Sequence, residues 1–173
     1  MAIYYGDGSN SDNGRQISSH YASYDTRLAT TSSSGVNILS INVTPKSTNS
    51  RMLITASLMW AANNNDGYIN ILRGSSNLEI SSGSTNRTNS HFGCHYDRTQ
   101  YDTSRETCVL RDHPNTTSQV TYNVQVYLSG GSSGTLFVNR NGHDNDREFD
   151  PEGISFLIVE EFAPWEFLIK VML

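Results

Sequence analysis

Lysine is nearly absent from this chain: Lys46 and Lys170 are the only two among 173 residues, and the ten arginines are scattered rather than clustered. With a formal charge of -5 at pH 7, there is no basic stripe to neutralise phosphates, and nucleic acid is set aside as a partner. Long apolar runs are missing as well. No stretch approaches the roughly 18 consecutive apolar residues of a membrane helix. The opening MAIYYGDGSN lacks the basic and apolar regions of a secretory signal. The expectation is synthesis in a cytoplasm, with no membrane insertion. Cysteine is limited to Cys94 and Cys108. In a reducing compartment two free, buried thiols are preferred to the single disulfide they allow. Stability then falls to packing or to assembly.

Neutral polarity is what the chain has in abundance. Ser, Thr and Asn account for 24, 15 and 17 of the 173 residues, so solubility rests on hydroxyls and amides instead of charge. The length is that of one domain, large enough to bury about two-thirds of its unfolded surface.

The periodicity is that of strands separated by turns, with almost no helix. In LRDHPNTTSQVTYNVQVYL (110–128), Val120, Tyr122, Val124, Val126 and Leu128 fall on one face of an extended chain, and Thr121, Asn123, Gln125 and Tyr127 on the other. That is a half-buried strand. Pro114, Thr116 and Thr117 before it supply turn chemistry, which is expected to return the chain antiparallel to the preceding segment. VNILSINVT (36–44) is a strand stopped by Pro45. RMLITASLMW (51–60) is apolar on both faces, the pattern of a central strand covered on two sides. GYINILRG (67–74) follows the NNND turn, and Asn77 to Ile80 reads as a short edge strand. SSGSTNRTNS (81–90) is too polar to pack. HFGCHY (91–96), ETCVLRD (106–112), TLFVNR (135–140) and GISFLIVEEF (153–162) complete the set. In the last, Ile154, Phe156 and Ile158 face opposite to Leu157 and Val159. Eight or nine strands at this spacing fit an antiparallel two-sheet sandwich.

Five segments, TPKSTNSRMLITASL (44–58), YINILRGSSNLEI (68–80), LRDHPNTTSQVTYNVQVYL (110–128), GTLFVNR (134–140) and GISFLIVEEF (153–162), occur in that order. Together with the opening MAIYYGDGSNSDNGR they resemble a family of virion structural proteins from phages of marine cyanobacteria, often labelled tail-fibre or host-attachment proteins. The resemblance spans about residues 1 to 162. It implies an all-β jelly-roll sandwich, C1q-like in shape, assembled as a homotrimer on the virion surface. A trimer also suits a strand that is apolar on both faces, because a threefold interface covers what a small core does not. A thick monomeric core is the alternative, and composition does not choose between them.

Three regions follow: a polar N-terminal arm over 1–35, the sandwich over 36–162, and an extension over 163–173 where the resemblance stops. The extension, APWEFLIKVML, carries Trp165, Phe167, Leu168, Ile169, Val171, Met172 and Leu173, a hazard if left in water. Two readings stay open: a last element packed into the protein's own trimer, or a plug into a capsid or tail protein. Tyr4 and Tyr5, with Tyr21 and Tyr24, make the N-terminal region a second candidate anchor, since aromatics favour interface centres. An uninvolved tail is the other reading.

No catalytic constellation emerges. DNDREFDPEG (144–153) carries Asp144, Asp146, Glu148, Asp150 and Glu152. It fails the calcium-loop pattern, because Phe149 stands where the turn needs Gly and Ser155 where a bidentate Glu belongs. His91 and His95, four strand residues apart, are separated by about 13 Å and cannot share an ion. His20, His113 and His143 have no nucleophile or carboxylate at a recognisable spacing. GxSxG, HExxH, CxxC and phosphate-binding glycine loops are all missing. The expectation is a non-enzymatic protein without cofactor or metal.

Two functional classes survive. One is a virion surface protein of architectural role, a knob or decoration held to the capsid or tail. The other is a short tail fibre that binds a host surface glycan or outer-membrane component. For the latter, the candidate loops are Asn63 to Gly67, Ser81 to Ser90, Asp97 to Ser104 and Gly142 to Asp150. With roughly 35 residues before the first expected strand and no shaft pattern, a compact knob is favoured over a long fibre.

Overall fold

The computed structural model describes residues 15–63, 66–79, 88–94, 102–129, 134–143, 145–148 and 150–164. Among them are eleven strands and no helix. They are β1 (Gln16–Tyr24), β2 (Leu28–Thr30), β3 (Val36–Val43), β4 (Arg51–Asn63), β5 (Gly67–Arg73) and β6 (Ser76–Asn77), followed by β7 (Phe92–Cys94), β8 (Ser104–Asp112), β9 (Val120–Leu128), β10 (Thr135–Val138) and β11 (Ser155–Phe162). Every pairing between them is antiparallel.

The first sheet runs β1-β11-β4-β8, with β10 and β2 continuing β11 and β1 along the same line. The second runs β3-β9-β5, with β6 and β7 on the free edge of β5. The chain crosses from one sheet to the other at β3, β4, β5, β8, β9 and β10. That alternation is the jelly roll the sequence pattern and the resemblance led one to expect.

Alternation of side chains explains the packing. In β4, Met52, Ile54, Ala56, Leu58 and Trp60 point inward and are buried. They meet Ile69 and Ile71 of β5 and Tyr122, Val124 and Val126 of β9 in one apolar cluster. β11 contributes Leu157 and Val159. β9 behaves as its sequence predicts, with Tyr122, Val124, Val126 and Leu128 buried.

Four expectations need correction. The polar arm assigned to 1–35 holds two strands, β1 and β2, so the sandwich starts twenty residues earlier. The inward positions of β1 are Ser18, His20, Ala22 and Tyr24, and such a strand has no hydrophobic alternation to read. Backbone pairing with β11 from Gln16 to Tyr24 holds it instead. Residues 113–119 do not form a hairpin: β8 pairs with β4, whereas β9 pairs with β3 and β5. The Pro114 turn therefore carries the chain between sheets. The edge strand is Ser76–Asn77, shorter than expected, and Ile80 lies outside the described residues. Finally, β4 is not equally covered on both faces, because Leu53 and Thr55 are only half-buried on the outer side.

One interruption organises an edge of the first sheet. β10 and β11 lie on the same side of β4, pairing with Trp60–Asn63 and Arg51–Ser57. They are one line of strand broken by an excursion over residues 139–154. Where the ladder breaks, the buried side chain of Asn139 replaces main-chain donors. Its Nδ2 donates to the carbonyls of Tyr24 (2.6 Å) and Thr26 (3.2 Å), and its Oδ1 accepts from the Ser155 hydroxyl at 2.6 Å. Ser155 Oγ in turn accepts from the Met59 N–H at 3.1 Å. Asn139 sits at φ 61°, a left-handed conformation that Asn tolerates better than most residues.

Candidate functional site

The residues predicted to make partner contacts, Tyr4, Tyr5, Trp165, Phe167, Leu168, Ile169, Val171 and Leu173, lie outside the described residues. Their points of attachment do not. The Ala163 N–H donates to the Arg15 carbonyl at 2.8 Å, which brings residues 15 and 163 together at one end of the sandwich. The strand ends Arg51, Asp112 and Phe162 lie at the same end. The opposite end carries the strand ends that flank the candidate loops 63–67 and 97–104, namely Asn63, Gly67, Cys94, Ser104 and Leu128.

A groove of about 700 Å³ opens at the terminal end, lined by Arg51, Leu53, Glu79, Arg111, His113 and Phe162 among others. Its lining mixes the apolar Leu53 and Phe162 with the charged Arg51, Glu79 and Arg111.

Most ionisable groups that could have suggested chemistry serve the fold. Arg73 on β5 donates to both carboxylate oxygens of Asp112 on β8 (2.8 and 2.9 Å), and the buried Tyr122 hydroxyl on β9 donates to Asp112 Oδ2 at 2.7 Å. This cluster bolts the two sheets together. Burial, and then the Asp112 carboxylate, push the Tyr122 phenol far above its ordinary range, so it acts as a fixed donor. Glu161 is fully buried. Its carboxylate accepts from the Lys46 N–H at 2.6 Å and from the Ser18 hydroxyl at 3.1 Å, tying the β3–β4 turn to β1. Period two after Leu157 and Val159 places residue 161 on the inner face, and that signal was available in the sequence.

The acidic loop is likewise occupied by its own donors. Asp150 accepts from Asn141 Nδ2 (3.2 Å), Asn145 N–H (2.9 Å) and Arg147 N–H (3.3 Å), and lies 3.4 Å from His143 Nδ1. Burial raises the Asp150 pKa, but these donors and His143 outweigh it and hold the carboxyl below its usual value. Glu152 pairs with Arg27 at 2.9 Å. Asp144 and Phe149 lie outside the described residues. Among the described residues no three His, Cys, Asp or Glu side chains gather around a common point.

His91 is a clamp. The Ile71 N–H donates to its Nδ1 at 3.1 Å, which assigns the proton to Nε2, and Nε2 donates to the Leu78 carbonyl at 2.7 Å. Burial lowers its pKa, opposed by the Leu78 carbonyl and by Glu79. His95 lies outside the described residues. Cys108 is a free thiol, its pKa raised by burial and by Glu79.

The two outer sheet faces differ in kind. On the second sheet, polar side chains bond one another across strands: Ser40 to Asn123 (2.9 Å), Thr121 to Asn42 (2.7 Å), Gln125 to Asn37 (3.3 Å) and Asn70 to Tyr127 (3.3 Å). Tyr68 and Tyr127 pack there at 5.5 Å between ring centroids. On the first sheet, the outer positions of β11 are Phe156, Ile158, Glu160 and Phe162, with Ile154 just before the strand.

The fold and these surfaces define a jelly-roll β-sandwich with a filled core. No protein-family model matches the chain, and no curated protein matches it. Among solved structures it is similar to the infectious bursal disease virus Gx strain structure, at 12% identity and a TM-score of 0.36. A second is the VP2 subviral particle of infectious bursal disease virus, at 13% identity and a TM-score of 0.34. Each likeness covers 87% of this chain and 39% of the other, so the chain spans about two-fifths of the length of those proteins.

Proposed function

We propose that this chain is a non-enzymatic structural protein of a phage virion, a homotrimeric knob on the virion surface, held to the capsid or tail through its terminal segments. The observation that carries this reading is the bond between Ala163 and Arg15. It joins residue 15, which follows the aromatic N-terminal segment in the chain, to residue 163, which precedes the apolar 165–173 segment. The spending of Asp112, Asp150, Glu161 and His91 on internal hydrogen bonds supports a structural role over catalysis. The test is deletion of residues 165–173. Under this reading the truncated protein folds and remains trimeric but is lost from assembled virions. Density at capsomers or at the tail in virion images distinguishes decoration from attachment. A truncated protein that still enters virions at wild-type copy number removes the anchoring role.

A second reading, recognition of a host surface glycan, is favoured by the Tyr68–Tyr127 pair among the amides of the second sheet. Apolar ring faces beside amide donors and acceptors are what a sugar ring needs. A glycan array with the trimer tests it, with Tyr127→Ala as the control that loses the signal.

A further inference from the structure

Three large apolar side chains stand well exposed among the described residues: Tyr21 at 63%, Val109 at 57% and Ile154 at 52%. All three belong to the outer face of the first sheet. The register aligns Tyr21, Ile158, Thr55 and Val109 in one row across β1, β11, β4 and β8. The row on one side is Ser23, Phe156, Ser57 and Thr107, and Tyr21 stacks on Phe156 at 6.1 Å. The row on the other side is Ser19, Glu160, Leu53 and Arg111. The opposite face of the sandwich is a hydrogen-bonded amide and hydroxyl surface suited to water. This one is not.

We infer that the outer face of the first sheet is the contact surface between copies of this chain, with Glu160 of one copy opposite Arg111 of the next. The inference rests on the homotrimer reading above and assigns its contact surface. Charge selects the occupant. Glu160 and Arg111 flank Leu53 in one row, about 10 Å apart by strand spacing, and neither has an ion pair among the described residues. The contacts of a threefold ring are heterologous, and a surface that carries one acid and one base about an apolar centre can offer the acid to one neighbour and the base to the other.

The test is the molar mass of the full chain by light scattering at micromolar concentration. The wild type should weigh three times 19.2 kDa, and Val109→Glu should give a folded monomer, with its β circular dichroism spectrum retained. Arg111→Glu and Glu160→Arg, both on the surface, should each raise the dissociation constant by about tenfold or more, and the double swap should restore it. A trimeric wild type whose Val109→Glu and single-swap variants all remain trimeric overturns the assigned face and leaves the trimer standing. A monomeric wild type overturns both. Single swaps that dissociate the trimer without restoration by the double swap overturn the Glu160–Arg111 pairing.

Discussion

Replacing Asn139 should expose how the broken strand line between β10 and β11 is held. In Asn139→Ala, the carbonyls of Tyr24 and Thr26 lose the amide that donates at 2.6 and 3.2 Å, and the Ser155 hydroxyl loses its acceptor at 2.6 Å. Each buried group left without a partner costs about 1–3 kcal/mol, discounted where water reaches it. Alanine at φ 61° adds about 1 kcal/mol of left-handed strain. The expected loss is about 3–5 kcal/mol, a large part of the roughly 5–15 kcal/mol that stabilises a domain. Asn139→Gly loses the same hydrogen bonds without the strain, so it should be more stable than the alanine variant by about 1 kcal/mol. Urea unfolding followed by tryptophan fluorescence, with linear extrapolation, measures both, and the buried Trp60 lies one strand away. A loss below about 1 kcal/mol for Asn139→Ala would refute the idea that this side chain replaces the missing ladder. Equal stability of the Ala and Gly variants would refute the strain.

Two further perturbations test the packing. The His91 pKa is lowered in the folded state, so the neutral ring is the stabilising form. Its contribution is complete above the unfolded value near 6.5 and is lost as pH falls from there toward the folded pKa. Unfolding free energies of wild type and His91→Gln, measured at pH 7.5 and pH 5, should therefore converge at the lower pH, and a gap that widens on acidification contradicts the clamp. Gly67→Ala should destabilise by about 1–3 kcal/mol through overpacking, because its Cβ would lie 2.7 Å from Trp60 Cζ3 and 2.9 Å from Leu136 Cδ1. An unchanged denaturation midpoint would mean that this corner of the core gives way.

Much of the sandwich was legible wherever burial follows period two. β3, β4, β5, β9 and β11 each carry inward apolar residues on alternate positions, and their sequence boundaries fall within a few residues of the strands. β1 was not legible, since its inward positions are Ser18, His20, Ala22 and Tyr24, and only the exposed edge of β11 makes it a strand. The hairpin expected around Pro114 failed for a related reason. Turn residues announce that a strand ends, not which sheet the chain enters next. Polar groups were harder still: period two turns Glu161 inward, but Asp112, Glu161 and Asn139 are each held by partners that are far away in sequence and that no local pattern announces. Ser18 and Glu161, for example, are separated by 143 residues.

The sequence alone determined the all-β class, the turns, the apolar face of each regular strand and the surplus of apolar residues on β4 and β11, because alternation is a local property of an extended chain. Only the tertiary structure decided which side of those two-sided strands becomes the core and which is left exposed as the row from Tyr21 to Val109. It also decided that residues 15 and 163 meet, and that buried carboxylates find their donors. These outcomes depend on pairings between distant strands, and they fix at once which face is dry, which is wet and where the two ends emerge.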